Sequence, residues 1–363
     1  KNNMHLYTKK INSKHILLTH LDYERKTSFS YGHLTTINEK FLKNRFAFTK
    51  LLISTISKEL SVDKLKHHTT FFVSDLNEMS ENRIHLGSII STSINGYLLN
   101  LDIAFDDYIN YSRENISYGN KKQDAKLIDI SPSTSIQKYG IDLDLGLSIN
   151  YFSDAEKKID VFPEVTATKE LVKDILLVSA GTLNPMYRNT YKSLSDENLF
   201  IHALGTNQQS IVNYDTIQEL NTTELKEIFF TIRNVLGKDE VFFARISYGR
   251  VENLAYFDNN YNSDYNRFLV HYIDVEQLMV SSSYERKIND IMSLNLKTVY
   301  YNWGDAEIAH KSNLLVNASL FINLRDKIIL NPKLEYISNQ KAFISEEYEI
   351  DYKFHFHLDI VYN

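Results

Sequence analysis

The sequence predicts an all-β fold, an antiparallel up-and-down transmembrane β-barrel of about 18 strands within a range of about 14–22. Three observations lead there. Apolar and polar residues alternate with a period of two over unusually long stretches; tight turns alternate with longer polar connections; and Tyr and Phe gather near the ends of the alternating stretches.

The clearest alternation runs through residues 141–151. Ile141, Leu143, Leu145, Leu147, Ile149 and Tyr151 form one face, opposed by Asp142, Asp144, Gly146, Ser148 and Asn150. Strand side chains point alternately to opposite faces, so this stretch presents one apolar face and one small, polar or acidic face. Earlier, Leu99, Leu101, Ile103 and Phe105 oppose Asn100, Asp102 and Ala104, with Asp106 continuing the polar row. Leu314, Val316, Ala318, Leu320, Ile322 and Leu324 make a further apolar row. Near the end, Tyr348, Ile350, Tyr352, Phe354, Phe356, Leu358, Ile360 and Tyr362 oppose Glu347, Glu349, Asp351, Lys353, His355, His357 and Asp359, which predicts one long strand. Residues 2–9 read as a short first strand. Residues 46–60 alternate poorly, leaving strand or helix open there.

Asn95-Gly96 between two alternating stretches is a strong hairpin signal, because both turn positions require φ > 0. Arg325-Asp326 and residues 237–239 are similarly tight. Between them lie longer polar stretches at 108–125, 183–226, 252–266, 303–311 and 340–345. Short turns at one end and longer loops at the other are the layout of outer-membrane barrels. The strand count puts both termini on the short-turn side. The aromatics Tyr108, Tyr111, Tyr151, Phe152, Tyr300, Tyr301, Trp303, Tyr348 and Tyr362 are expected to form interfacial girdles. The competing reading is a soluble antiparallel sandwich, adhesin or solenoid whose apolar faces pack on a core. Strand length, and polar faces that mix Asp, Asn, Ser, Gly, Lys and His, favour lipid on one side and a wet lumen on the other.

Composition bounds the function. The chain has 363 residues, no Cys, 4 Pro and a formal net charge of −6, with Lys and Arg dispersed. Thiolate metal sites and disulfides are excluded, and no concentrated basic face for nucleic acid is evident. No apolar run approaches the roughly 18–20 residues of a spanning helix. The chain opens at Lys1 without a leader, which reads as a mature or partial sequence, and one domain over 1–363 is the simplest division.

No nucleophile elbow or phosphate loop occurs, and no enzyme or cofactor is expected. His355 and His357 share a strand face beside Asp359, but without a third ligand they read as lumen residues and no metal is assigned. Asp258, Asn260, Asn262 and Asp264 space oxygens as calcium loops do, yet lack the Gly and bidentate Glu of an EF-hand. The lumen candidates are therefore Asn100, Asp102, Asp106, Asp142, Asp144, Glu347, Glu349, Asp351, His355 and His357. In an open pore these carboxylates would favour cations; in a packed interior neighbouring cations would neutralise them. The expected lipid-facing set is Leu99, Leu101, Ile103, Phe105, Leu143, Leu145, Leu147, Ile149, Leu320, Ile322, Phe354, Phe356, Leu358 and Ile360.

Residues 179–198, SAGTLNPMYRNTYKSLSDEN, and 309–330, AHKSNLLVNASLFINLRDKIIL, resemble segments of Bacteroidota outer-membrane barrels labelled TonB-dependent-receptor-like. The resemblance covers residues 140–363. It implies a bacterial outer-membrane location and a barrel, with lipid, lipopolysaccharide and other outer-membrane or periplasmic proteins as partners. Active uptake is implied less readily, since no plug domain precedes the first strands and the chain ends at Asn363 rather than on the usual aromatic. A structural or accessory subunit of a larger outer-membrane machine is the favoured expectation. A porin-like or receptor-like channel is the alternative, and a soluble adhesin the remote one. The connection 183–226 bears on both leading readings: folded inward it constricts a pore, lying outward it docks a partner.

Overall fold

The computed structural model describes residues 2–29, 43–58, 64–77, 81–110, 124–154, 157–201, 220–259, 268–306, 308–325, 327–341 and 349–362. One antiparallel sheet of 18 strands dominates. Its members are β1 (Asn2–Ile11), β2 (His15–Phe29), β3 (Lys43–Ser57), β4 (Lys66–Leu76), β5 (Glu81–Ile94), β6 (Tyr97–Asn110), β7 (Ala125–Lys138), β8 (Ile141–Ser153), β9 (Lys157–Val172), β10 (Leu176–Leu183), β11 (Met186–Arg188), β12 (Thr222–Gly237), β13 (Glu240–Asn259), β14 (Phe268–Lys287), β15 (Met292–Asn302), β16 (Leu314–Leu324), β17 (Ile328–Ile337) and β20 (Lys353–Tyr362). A separate two-stranded ladder pairs β18 (Gln340–Lys341) with β19 (Glu349–Ile350).

Each wall strand pairs with its sequence neighbours, as an up-and-down wall requires. The uncertain stretch near residue 50 is a full strand laddered to both β2 and β4. Asn95 and Gly96 have φ of 52° and 82°, the double positive φ that the hairpin needs. Turns at 12–14, 95–96, 139–140, 173–175, 238–239, 288–291 and 325–327 share one end of the wall. The sorting of loops is looser than the sequence suggested. Connections 77–80 and 154–156 at the opposite end are also short, and 58–65 at the turn end is longer.

The register sorts the strand residues onto two faces. Asp106 sits opposite His85 and Leu127, Asp102 opposite Ile89 and Ser131, and Asn100 opposite Ser91 and Ser133. Asp142 and Asp144 oppose Gln137 and Ser135 on the same face. Buried Asp106, Tyr108, Ser148 and Asn150 identify it as the inner face. Leu99, Leu101, Ile103, Phe105, Leu143, Leu145, Leu147 and Ile149 lie on the other. Leu320 and Ile322 follow the outward parity of Tyr300 and Leu296. Phe354, Phe356, Leu358 and Ile360 oppose Tyr336, Leu334, Pro332 and Leu330, leaving His355 and His357 inward. Large apolar side chains such as Leu51, Phe71, Leu86, Ile228, Ile246 and Leu334 stand exposed on the outside, as a lipid-facing surface demands.

Four expectations need correction. The final strand begins at Lys353, because its partner β17 ends at Ile337, opposite Lys353. Glu349 therefore lies in the separate ladder and Asp351 in an exposed connection, while Glu347 falls outside the described residues. Alternation continued through them without a neighbouring strand to continue the wall. Second, Asp258 is a strand residue opposite Leu269, and Asn260, Asn262 and Asp264 are outside the described residues. Third, Tyr108, Phe152, Tyr301 and Trp303 turn inward rather than joining a girdle, whereas Tyr300 points outward. Tyr111 and Tyr348 are outside the described residues.

The fourth concerns the termini. β11 is a three-residue continuation of β10 in the same register with β12, which leaves seventeen strands crossing the wall. β1 and β20 consequently run in the same direction, from the loop end to the turn end, so Asn2 and Tyr362 lie at opposite ends. Among the described residues β1 pairs only with β2, and β20 only with β17. Two strands that run the same way cannot be antiparallel neighbours. A continuous antiparallel wall between them needs an odd number of intervening strands.

With no native Cys, an introduced thiol is unique. In protein reconstituted into nanodiscs, which leave both ends of the wall open to solvent, Asp144→Cys should react with a membrane-impermeant maleimide while Leu145→Cys stays protected by lipid. Equal labelling of the two would break the assigned faces.

Candidate functional site

The decisive feature is the connection between β10 and β12. Gly181 lies tight against β9, where an added Cβ would collide with the Val165 carbonyl. Past it, β10 leaves β9, and Asn184-Pro185 interrupts the strand before β11. The split is filled by charge. Lys158 bridges Glu224 (2.8 Å) and Glu252 (2.9 Å), and Lys226 contacts Asp160 (2.9 Å) and Glu224. Asn184 donates its amide to Asp160 at 2.8 Å. Glu224 is only 2% exposed, so two ammonium groups compensate a carboxylate that water does not reach. Next to it, Arg188 pairs with Asp154 at 3.2 Å, and Asp154 also accepts the Thr222 N–H at 2.7 Å.

From this root the chain turns into a helix of about two turns, α1 (Tyr191–Glu197). Thr190 caps it: its hydroxyl accepts the Ser193 N–H at 3.1 Å, and the Ser193 hydroxyl accepts the Thr190 N–H at 2.9 Å. So short a helix is not stable alone; its apolar contacts hold it. Tyr191 and Leu194 join Ile201 and Leu220 of the same connection, Ala255 and Phe257 of β13, Val270 of β14, and Phe46 and Leu76 of β3 and β4 in one buried cluster.

Polar ties repeat that pattern. The Tyr191 N–H donates to Glu81 of β5 at 3.0 Å. Lys192 pairs with Glu24 of β2 at 2.9 Å, and Asp196 with Lys26 of β2. The Ser28 hydroxyl donates to the Leu199 carbonyl at 2.9 Å. On the other flank Glu197 pairs with Lys311, and the Phe268 N–H donates to the Phe200 carbonyl at 3.0 Å. The root lies between β10 and β12, yet the helix touches β2, β3 and β5 as well as β14. Only a segment crossing the interior can reach both. Residues 191–201 of the connection are folded inward.

The predicted lumen residues divide accordingly. Asp106 is paired with Arg83 (2.7 Å) and lies within hydrogen-bond distance of His85 (2.9 Å), with Arg83 between the Phe72 and Tyr108 rings. Asp142 and Asp144 lie toward the turn end with no ion pair among the described residues, although Ser135 donates to Asp144. His355 and His357 stack at 6.4 Å between ring centres. Among the described residues no three His, Asp or Glu side chains gather closely enough to hold a metal ion. Sequence reasoning had singled out neither the β9–β12 charge cluster nor the α1 latch, since their partners are far apart in the chain.

The two-faced wall, the inward segment and the sorted turns can now be set against known proteins. No protein-family model and no curated sequence matches. Solved structures do. The copper transporter OprC superposes with a TM-score of 0.59 at 10% identity, covering 99% of this chain and 65% of that one. The FrpB iron transporter of Neisseria meningitidis (F3-3 variant) gives 0.61 at 8%, with 97% and 63% covered. The siderophore receptor PirA of Acinetobacter baumannii gives 0.58 at 10%, with 99% and 64% covered. The fold is that of an outer-membrane β-barrel. The chain spans somewhat under two thirds of the length of these structures, and its likeness to TonB-dependent receptors is a likeness to their barrel part.

Leu194 is 2% exposed within the cluster that docks α1. Leu194→Ala should weaken docking by about 2–5 kcal/mol. Limited proteolysis should then cut within residues 184–201 many times faster than in the parent, while the wall stays intact. Unchanged cleavage would mean the cluster does not hold the segment.

Proposed function

We propose that this chain forms the wall of an outer-membrane solute transporter whose lumen is closed at rest by its own inward-folded connection. The observation that carries this reading is α1 tied to β2, β3 and β5 on one side and to β14 and Lys311 on the other. A lumen built only as a structural post has no need of a helix latched across it. The transport role of the structural neighbours supports the same reading. The inner carboxylates Asp142 and Asp144 would give the opened path a cation preference, since rings of charge select by sign.

Planar-bilayer recording of the full-length protein tests this. The parent should pass little current. Lys192→Ala with Leu194→Ala should give stable conductance steps, and adding Asp142→Asn and Asp144→Asn should lower cation preference. A parent that conducts steadily, or a double variant that stays silent, would sink the latch.

A second reading, that the chain is one part of a larger outer-membrane assembly, is favoured by two edges, β1 and β20, that each have one free side among the described residues. β1 and β20 are exposed along their length, including Leu6 and Leu358 on the outward face. A second copy inserted with the same orientation offers strands of the same direction, so strands of another kind would be needed. A photo-crosslinking side chain placed at Leu6 or Leu358 in intact outer membranes should yield adducts heavier than the chain. Products of unchanged mass would remove this reading.

A further inference from the structure

Against α1 lies a cavity of about 970 Å³, within the size range of small-molecule sites. One side of it is apolar and aromatic: Leu254, Phe257, Phe268 and Leu315, with the Tyr301 and Trp303 rings stacked at 5.0 Å and 10°. The lining also includes Lys353 and His355 of β20. The two acids of α1 that border the cavity are already engaged, Asp196 with Lys26 and Lys192, Glu197 with Lys311. Lys353 has no carboxylate partner among the described residues, so it leaves the lining with a positive charge that nothing described compensates. The Trp303 indole N–H is buried without an acceptor, a donor that an oxygen-bearing ligand can satisfy once the ring turns toward the cavity.

We propose that this cavity binds a small organic anion with an apolar body, of the class of an aromatic carboxylate. Its ring lies against Tyr301 and Trp303, and its carboxylate meets Lys353. Aromatic stacking rewards a flat body, and the ammonium group supplies a charge-assisted hydrogen bond at the exposed end. The inference deepens the transporter reading and rests on it: the cavity is walled on one side by the closed connection, so the bound anion would wait directly against the latch.

The chain contains a single Trp among 24 Tyr, so emission excited at the red edge, where Tyr does not absorb, comes from Trp303 in this cavity. Full-length protein in detergent is titrated with benzoate, with benzyl alcohol as the uncharged ring and acetate as the anion without a ring. Benzoate should change the emission saturably, and both controls should bind at least about tenfold more weakly. Lys353→Gln should cost benzoate about tenfold in affinity while heat-modifiable gel migration is unchanged. Equilibrium dialysis with labelled benzoate reads binding independently of the fluorophore, in the parent and in Tyr301→Leu, which should also bind more weakly. No retention in dialysis, an equal response to benzyl alcohol, or full affinity in Lys353→Gln overturns the proposal. Bilayer conductance reports the latch and fluorescence reports the cavity, so a failure of one is distinguishable from a failure of the other.

Discussion

Everything in this structure follows from the need of each backbone N–H and C=O to find a partner where water offers none. An unsatisfied peptide group in hydrocarbon costs several kcal/mol, so only intrahelical or inter-strand pairing survives there. Among the described residues no helix is long and apolar enough to span. The chain instead uses antiparallel ladders, and the ladders impose the period of two. One face meets lipid and is apolar; the other meets the lumen and is polar. Departures from the ladder occur where the constraint relaxes. β13 and β14 are twenty residues each, about 65 Å of strand at roughly 3.3 Å per residue, well beyond what a tilted strand needs to cross a bilayer. The register shift between Val251 and Leu254, with Asn253 at φ 55°, lies in this overhanging part. There it re-aims Ala255 and Phe257 onto α1.

Within the lumen the balance of forces resembles that of a soluble protein. The ion pairs that tie α1 to β2 are partly exposed, and such pairs are individually worth about 0–1 kcal/mol. The buried contacts of Tyr191, Leu194 and Phe257 carry more, about 1.5–3 kcal/mol for each large side chain taken out of water. Packing therefore holds the segment, and charge fixes its position. The Glu81 carboxylate does both jobs at one point: it accepts the first helical N–H of α1, and it lies on the same inner face as Arg83, whose guanidinium binds Asp106. Displacing α1 would leave Glu81 facing the lumen without its donor.

The wall was readable from the sequence because each of its faces sees one medium over many residues. Leu143 to Ile149 and Phe354 to Ile360 alternate cleanly for that reason, and both lie in wall strands. Reading failed where no neighbour existed to turn alternation into a wall, as at Glu349 and Asp351. It failed again inside the β10–β12 connection. Tyr191, Leu194 and Ile201 are too few and too irregularly spaced to signal a helix, and the partners that bury them are contributed by β3, β4, β13 and β14. Thr190 and Ser193 do form a reciprocal cap, but Ser in place of Glu or Gln weakens that signature in sequence. Inward folding is a long-range property, set by residues such as Glu24, Lys26 and Lys311 that look like ordinary strand and loop charges.

The inner charges finally separate into two groups with different physical roles. Near the loop end, Asp106, Glu24 and Glu224 are each met by a cation within the wall or the inward segment, so their fields are cancelled locally and serve to fix geometry. Toward the turn end, Asp142 and Asp144 have no such counter-charge, and their field extends into the lumen. A solute passing α1 would meet that field only after the closed region. On the transporter reading, closure and charge preference therefore reside on different elements, α1 and β8. Substitutions on one should change its property with little effect on the other, because the two share no ion pair or packing contact among the described residues.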